Sequence, residues 1–436
     1  MYRQQQFNDL VAGKRILIAG YGREGRSTHC LLQRLAPASC LTVATNDDEI
    51  FKALEQAARC NQPYDLVVKS PGIPTMKLEG RCELDTVTSQ CDLFLQVYGD
   101  LTVGVTGTKG KSTTATLLGH VLSSSLPDRH VVVAGNMGVP LFDIVDEVDE
   151  QTVVVAELSC HQLENIHRGP HVGIILNFYQ EHLDHYHSYR DYQMAKMQMM
   201  LRQEAGDHCF FCTDSADLVE RVTEYKARII ATLHPYSIQE ARQSDIAQMP
   251  TALHGDHNLS NSFAVQQAAA LYGVSLTQFA QALASFHGLP HRLERVGTYR
   301  DITFYNDSIS TIPEATIAAL QALPQTNTLI LGGFDRGIDY SPLANFLTSQ
   351  NGIDNIVFVG KAGLRMKEEW EQLSPSPLEG KNLLVENNYT TIVAWCYRHT
   401  YPNTICLLSP AAASYDSFDN FEHRGNTYKE LIMQQQ

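Results

Sequence analysis

The chain has no apolar run long enough to span a bilayer, and no secretory h-region follows Met1. A cytoplasmic protein is therefore the expectation. Positive charge is scarce: 33 lysines and arginines stand against 48 aspartates and glutamates, a net charge of −15. So acidic a surface repels nucleic acid and anionic membrane, and neither is expected as a partner. An anionic nucleotide would have to be held by local backbone donors and a few placed cations. There is no short-period repeat and no low-complexity segment, and a composition 44% hydrophobic and 19% charged excludes a disordered chain. The ten cysteines form no disulfide framework. Cys209 and Cys212 have C-x-x-C spacing, but they sit in an apolar run and no second pair completes a zinc site. They are read as part of a buried strand.

What is present is alternation. At roughly 100–200 residues per domain, 436 residues make about two to four domains. Three blocks emerge in which apolar strand-like runs alternate with helical patterns. The first has strands at 15–19, 41–44 and 65–68, with a helix through Leu31 and Leu32. The second has strands at 101–105, 130–134, 152–156 and 172–176, and helical patterns at 114–122 and 261–272. The third has strands at 328–331, 355–359, 383–386 and 404–408. This predicts an α/β protein with mostly parallel sheets covered by helices on both faces. The expected domains are 1–95, 96–296 and 297–436: Rossmann-like at each end, with a P-loop-type unit between them.

The strongest chemical signal is Thr106-Gly107-Thr108-Lys109-Gly110-Lys111-Ser112-Thr113, between a β-branched strand and a helical run. Glycines let backbone N–H groups turn toward phosphate oxygens, and the helix N-terminus adds positive potential. Lys111 would reach the β- and γ-phosphates and Ser112 would bind Mg²⁺. Val105 stands where the longer phosphate loop has its first glycine; a plain serine-capped turn is the bland alternative. A second turn, Gly20-Tyr21-Gly22-Arg23-Glu24-Gly25, also follows a strand. Alone it invites a dinucleotide-dehydrogenase reading, with Asp47 near the ribose-binding distance. It would hold the pyrophosphate of another nucleotide equally well, or serve as a structural turn.

Two further clusters fall at strand ends. Glu157, in Glu157-Leu158-Ser159-Cys160-His161-Gln162, puts a carboxylate where α/β sheets bind ligands. The other cluster runs from Asn177 to His187, and its His182, His185 and His187 have zinc-like spacing. Beside a nucleotide loop, Mg²⁺ with oxygen ligands and one imidazole is preferred, leaving His185 and His187 in a polar loop.

With these motifs in order, the sequence resembles the Mur ligase family over essentially its whole length. The resemblance rests on residues 106–113, 135–138, 157–164, 177–184 and 255–258, then 289–292 and 306–308. The runs 408–416 and 421–425 look like its glutamate-adding branch. The family implies a UDP-binding domain, a central ATPase and a glutamate-binding domain. Gly22, Arg23, Ser70, Asn136 and Gln162 would then face the UDP substrate. Gly107, Thr108, Lys109, Gly110, Lys111, Ser112 and Thr113 would hold ATP, helped by Asn258, Asn261, Arg292 and Asp307. Lys111, Glu157, His182 and Lys196 would be catalytic. Ser112, Glu157, His182 and Lys196, the last as a CO₂-derived carbamate, would organise two Mg²⁺ ions. Thr311, Arg336, Ser414 and Phe421 would hold glutamate.

Each assignment has a plainer alternative: a solvated helix lysine for Lys196, a surface salt bridge for Arg336, core packing for Phe421. The implied reaction joins glutamate, the D-isomer expected, to UDP-N-acetylmuramoyl-L-alanine at the cost of ATP, through an acyl phosphate. A monomer is expected. Two departures from the family pattern are Lys109, where asparagine is common, and Ile309, where many members carry lysine. The second leaves the L-isomer open. Rival readings are a folylpolyglutamate- or cyanophycin-type ligase, a nicotinamide-dependent dehydrogenase and a non-catalytic nucleotide switch.

Overall fold

Among the residues described by a computed structural model, sixteen strands fall into three sheets. It covers residues 2–435 except Ala38, Met137, Leu183, Asp184, Ala252, His254 and His287. Met137, Leu183 and Asp184 of the sequence motifs therefore lie outside the described residues.

The first sheet holds β1 (Arg15–Ala19), β2 (Cys40–Ala44), β3 (Leu66–Lys69) and β4 (Val87–Ser89), in the order β2-β1-β3-β4, all parallel. The second holds β5 (Thr102–Thr106), β6 (Val131–Gly135), β7 (Val153–Glu157), β8 (Val172–Ile175), β9 (His208–Cys212) and β10 (Thr232–Tyr236). Its order is β10-β9-β8-β5-β7-β6, again all parallel. Parallel strands are buried on both faces, and alternate residues of β7 show it. Val153 and Val155 pack into one core, Val154 and Ala156 into another. That second core also contains Ile16, Ile18 and Val68 of the first sheet. One hydrophobic core thus serves both sheets, and Met1–Phe286 forms a single compact unit. Helix Gln90–Tyr98, buried in this shared core, contains residues 95 and 96. Cys209 and Cys212 are buried thiols on β9, as the apolar run predicts.

The second unit, His287–Gln436, carries β11 (Glu294–Tyr299), β12 (Ile302–Asn306), β13 (Thr326–Gly332), β14 (Asn355–Val359), β15 (Asn382–Val385) and β16 (Ile405–Leu408). The order is β11-β12-β16-β13-β14-β15, and only β11 and β12 pair antiparallel. Arg300 and Asp301 turn that hairpin with φ of 49° and 61°. Both central residues must be left-handed in such a turn. Here no glycine announces it.

Candidate active site

The phosphate-type loop leaves the carboxyl end of β5, whose neighbours β7 and β8 carry the other polar clusters. Gly110 has φ +89°, and a Cβ there would meet the Asn261 amide at 3.0 Å. Only glycine suits a left-handed, crowded position of this kind. Helix Lys111–Ser125 begins immediately after it, so Lys111, Ser112 and Thr113 form the first turn, where backbone N–H groups have no helical partner. Thr108 is pinned on both sides. Its N–H donates to Asn177 O at 2.9 Å, and its hydroxyl lies 2.7 Å from Tyr192 Oη. Lys109 is exposed and pairs with Glu181.

Two lysines converge on this loop. Lys111 Nζ donates to the carbonyls of Gly107 (3.0 Å) and Thr108 (2.9 Å), and Lys196 Nζ donates to Gly107 O at 2.9 Å. Burial lowers the Lys111 pKa, and burial, aided by the Lys111 charge, lowers that of Lys196 to about 8. Lys196 is buried on helix Tyr189–Leu201, so the solvated-lysine alternative does not hold. Glu157 ends β7 and is buried. Its Oε1 accepts from Asn136 Nδ2 at 2.8 Å, while its Oε2 has no hydrogen-bond partner among the described residues. His182 is about half exposed at φ +57°, a conformation costly for a non-glycine residue, and its ring lies 4.8 Å from that of His161.

His185 is a correction. It lies in a turn but is buried rather than solvated, and its Nε2 lies 2.9 Å from Glu164. Glu164 is held further by Lys69 at 2.6 Å and Thr75 at 2.7 Å. Burial alone would raise the Glu164 pKa; its bonds to His185, Lys69 and Thr75 outweigh that and hold it at about 2. His187 is exposed and 3.6 Å from Glu79, as a loop residue would be. His182, His185 and His187 do not gather around one point among the described residues. The histidine that meets His182 and His185 is His161, whose pKa burial and those two neighbours lower to about 3. Sequence reasoning assigned it no role.

The first glycine turn lines a separate cavity of about 500 Å³, together with Ser70 and Asn136. Gly22 and Arg23 open onto it, and Arg23 donates to Gly138 O at 2.8 Å. Gly25 is needed for packing, since a Cβ would stand 2.1 Å from Gly20 O. Gln162 acts from behind the wall: it caps helix Cys160–Leu163 and donates to Glu24 Oε1 at 2.7 Å. Glu24, which sequence reasoning passed over, lines the cavity with its pKa raised to about 7 by burial. Asn261, one helical turn after Asn258 on helix Asp256–Ala270, lines a cavity of about 190 Å³ with Asn177 and Asp214.

In the second unit, Asp307 follows β12. It accepts from Ser409 Oγ at 2.7 Å and Leu293 N at 3.1 Å, while burial raises its pKa to about 6. Arg292 is exposed. Arg336 is exposed too, and its guanidinium donates to Thr311 O at 2.8 Å, so these two glutamate candidates do come together. Ser414 is buried. Phe421 is only half-buried and edge-on to His291 at 6.1 Å, so it is not simple core packing. The residue that organises these loops is Arg424. It is buried and donates to Ser308 Oγ (2.9 Å), Ser308 O (2.8 Å), Ala412 O (3.1 Å) and Ala413 O (3.2 Å).

Known proteins match this geometry. The Mur ligase middle domain matches residues 105–269. A UDP-N-acetylmuramoylalanine–D-glutamate ligase of Desulfitobacterium hafniense is 32% identical over 96% of this chain and 97% of its own. Among solved structures, MurF from Acinetobacter baumannii has a TM-score of 0.55 at 17% identity, covering 80% of this chain and 82% of that one. MurF from Thermotoga maritima, solved with ADP, has a TM-score of 0.53 at 15% identity, covering 98% and 97%. The two structures share the fold. Sequence identity sustained over nearly the full length of both proteins goes further, and the chain belongs to the Mur ligase family.

Proposed function

We propose that the protein uses ATP to join D-glutamate to UDP-N-acetylmuramoyl-L-alanine in the synthesis of peptidoglycan precursors. The observation that carries this is the meeting of Lys111 and Lys196 on the Gly107 carbonyl, within electrostatic reach of the Glu157 carboxylate. Two lysines beside a glycine loop suit a transferring phosphoryl group, and a dehydrogenase has no use for them.

The reaction has two steps. The substrate carboxylate attacks the γ-phosphorus of ATP, giving an acyl phosphate and ADP. The glutamate amine then attacks the acyl carbon; phosphate leaves and the nitrogen loses a proton. Lys111 holds the phosphoryl oxygens, and the first-turn N–H groups of Lys111–Ser125 hold the chain of phosphates. Gly22, Arg23, Ser70 and Asn136 bind the UDP end. Asn258, Asn261, Arg292 and Asp307 serve the nucleotide. Thr311, Arg336, Ser414 and Phe421 hold glutamate, the fixed guanidinium matching a carboxylate.

The unpartnered Oε2 of Glu157 suits a cation, and with Ser112 and His182 it would hold Mg²⁺. Bound there, Mg²⁺ would neutralise charge on the phosphate oxygens. Lys196 suits carbamylation. Only a neutral amine attacks CO₂, and a pKa near 8 leaves far more of it at neutral pH than the usual 10.5. The adduct would add an anionic oxygen for a second Mg²⁺. The working division is 1–95 for the UDP substrate, 96–296 for ATP and 297–436 for glutamate, in a monomeric cytoplasmic enzyme.

A second reading, addition of L-glutamate, is left open by Ile309, which offers no charge to the amino acid. One assay decides: phosphate release from ATP, Mg²⁺ and UDP-N-acetylmuramoyl-L-alanine, with D- or L-glutamate in turn. Release that requires all components and prefers the D-isomer is expected. Preference for L-glutamate selects the second reading, and release without the UDP substrate overturns both.

A further inference from the structure

The ligase reading leaves a sulfur and an imidazole unused beside its centre. Cys160 is buried at the start of helix Cys160–Leu163, and its Sγ lies 3.8 Å from His161 Nδ1. The His161 ring lies 4.8 Å from that of His182. One ligand atom from each of Cys160, His161 and His182 falls within 4.8 Å of the other two. Ligand atoms sharing a tetrahedral ion, with bonds of about 2.0–2.3 Å, stand about 3.5 Å apart, so modest side-chain rotation closes the set. A second group, His161, Glu164 and His185, is comparably near. There, however, the carboxylate already serves Lys69, Thr75 and His185.

We propose that Cys160, His161 and His182 form a site for a borderline-soft divalent cation, Zn²⁺ above all, whose filling stops the ligase by drawing His182 away from Mg²⁺. The inhibitory half rests on the ligase reading of His182. One thiolate and two imidazoles are a poor set for Mg²⁺ and a good one for Zn²⁺, with water completing the tetrahedron. On binding, the Cys160 thiol gives its proton to solvent and its sulfur bonds the metal. His182 has a left-handed backbone, φ +57°, and its ring stands edge-on to that of His161.

Co²⁺ is the direct probe. Titrated into the full chain, it should give a near-ultraviolet thiolate charge-transfer band that saturates at one equivalent and is displaced by Zn²⁺. Cys160→Ser, nearly isosteric, should lose the band and bind Zn²⁺ at least about tenfold more weakly. It should also keep Mg²⁺-dependent phosphate release while tolerating Zn²⁺ that arrests the parent protein. A band that survives in Cys160→Ser belongs to another cysteine and overturns the site. If the band is lost but Zn²⁺ inhibits parent and variant equally, the inhibitory half is overturned. A protein that binds Co²⁺ through Cys160 but releases no phosphate with any glutamate isomer upholds the site and sinks the ligase reading, so the two failures are distinguishable.

Discussion

Two glycine turns leave the carboxyl ends of parallel strands in the first unit, and they differ in the charged side chains around them. The turn after β5 draws in Lys111 and Lys196; the turn after β1 holds Glu24, with Arg23 pointing to a carbonyl. Glycine provides the same service in both, letting backbone approach backbone or ligand. What differs is which side chains surround the turn. On the proposed ligase reading, the first serves charge that moves during a reaction and the second charge that is merely held.

Lys111→Ala attacks this contrast most severely. With the loop's cation gone, phosphate release should fall by about 10²–10³-fold in a folded protein. Near-normal turnover would make the two turns equivalent. Lys196→Ala should cost about a hundredfold, and short-chain carboxylates should restore part of it by standing in for carbamate oxygens. Full activity without any additive would leave Lys196 as packing. Arg336→Ala carries the comparison to the second unit, where charge is again only held. Glutamate KM should rise about ten- to a hundredfold, with ATP KM unchanged. A glutamate KM that does not move would redirect attention to Ser414 and Phe421.

The smallest effect belongs to Glu24. Its pKa of about 7 means that raising the pH from 6 to 8 places a negative charge in the cavity read here as the UDP site. The KM for the UDP substrate should therefore climb across that interval, and in Glu24→Gln the climb should vanish. Stability follows the same sign. The folded state holds the proton more tightly than the unfolded chain, so the wild type loses stability relative to Glu24→Gln as pH rises from about 4.5 to about 7. Parallel pH profiles for parent and variant, in KM and in Tm, would mean that Glu24 keeps one protonation state throughout.

Both phosphate-type turns were legible because strand, glycines and helix recur in a fixed order. The buried strands were legible too: 15–19 and 355–359 coincide with β1 and β14, since strands covered on both faces read as unbroken apolar runs. Where polar residues carry structure, the sequence was silent. β4 is only Val87–Ser89, too short and polar to show a pattern. The β11–β12 hairpin turns on Arg300 and Asp301, which give no glycine or asparagine signal. The burial of His185 was not legible because its partner, Glu164, lies 21 positions away and is itself held by Lys69. Arg424 sat inside a quoted motif, yet four acceptors from distant loops cannot be read from spacing.

That guanidinium has a bearing on how this protein can be redesigned. Arg424 fastens the segment at Ser308, the segment at Ala412 and Ala413, and its own helix Phe421–Gln434 into one knot. Variation at exposed Arg336 or half-buried Ile309 leaves the knot tied, so those positions are open to retuning one at a time. A change at Arg424 would strand several buried carbonyls together and loosen three pieces of chain at once. If this unit holds the glutamate, as proposed, amino-acid selectivity is free to drift at its rim while its hub stays fixed.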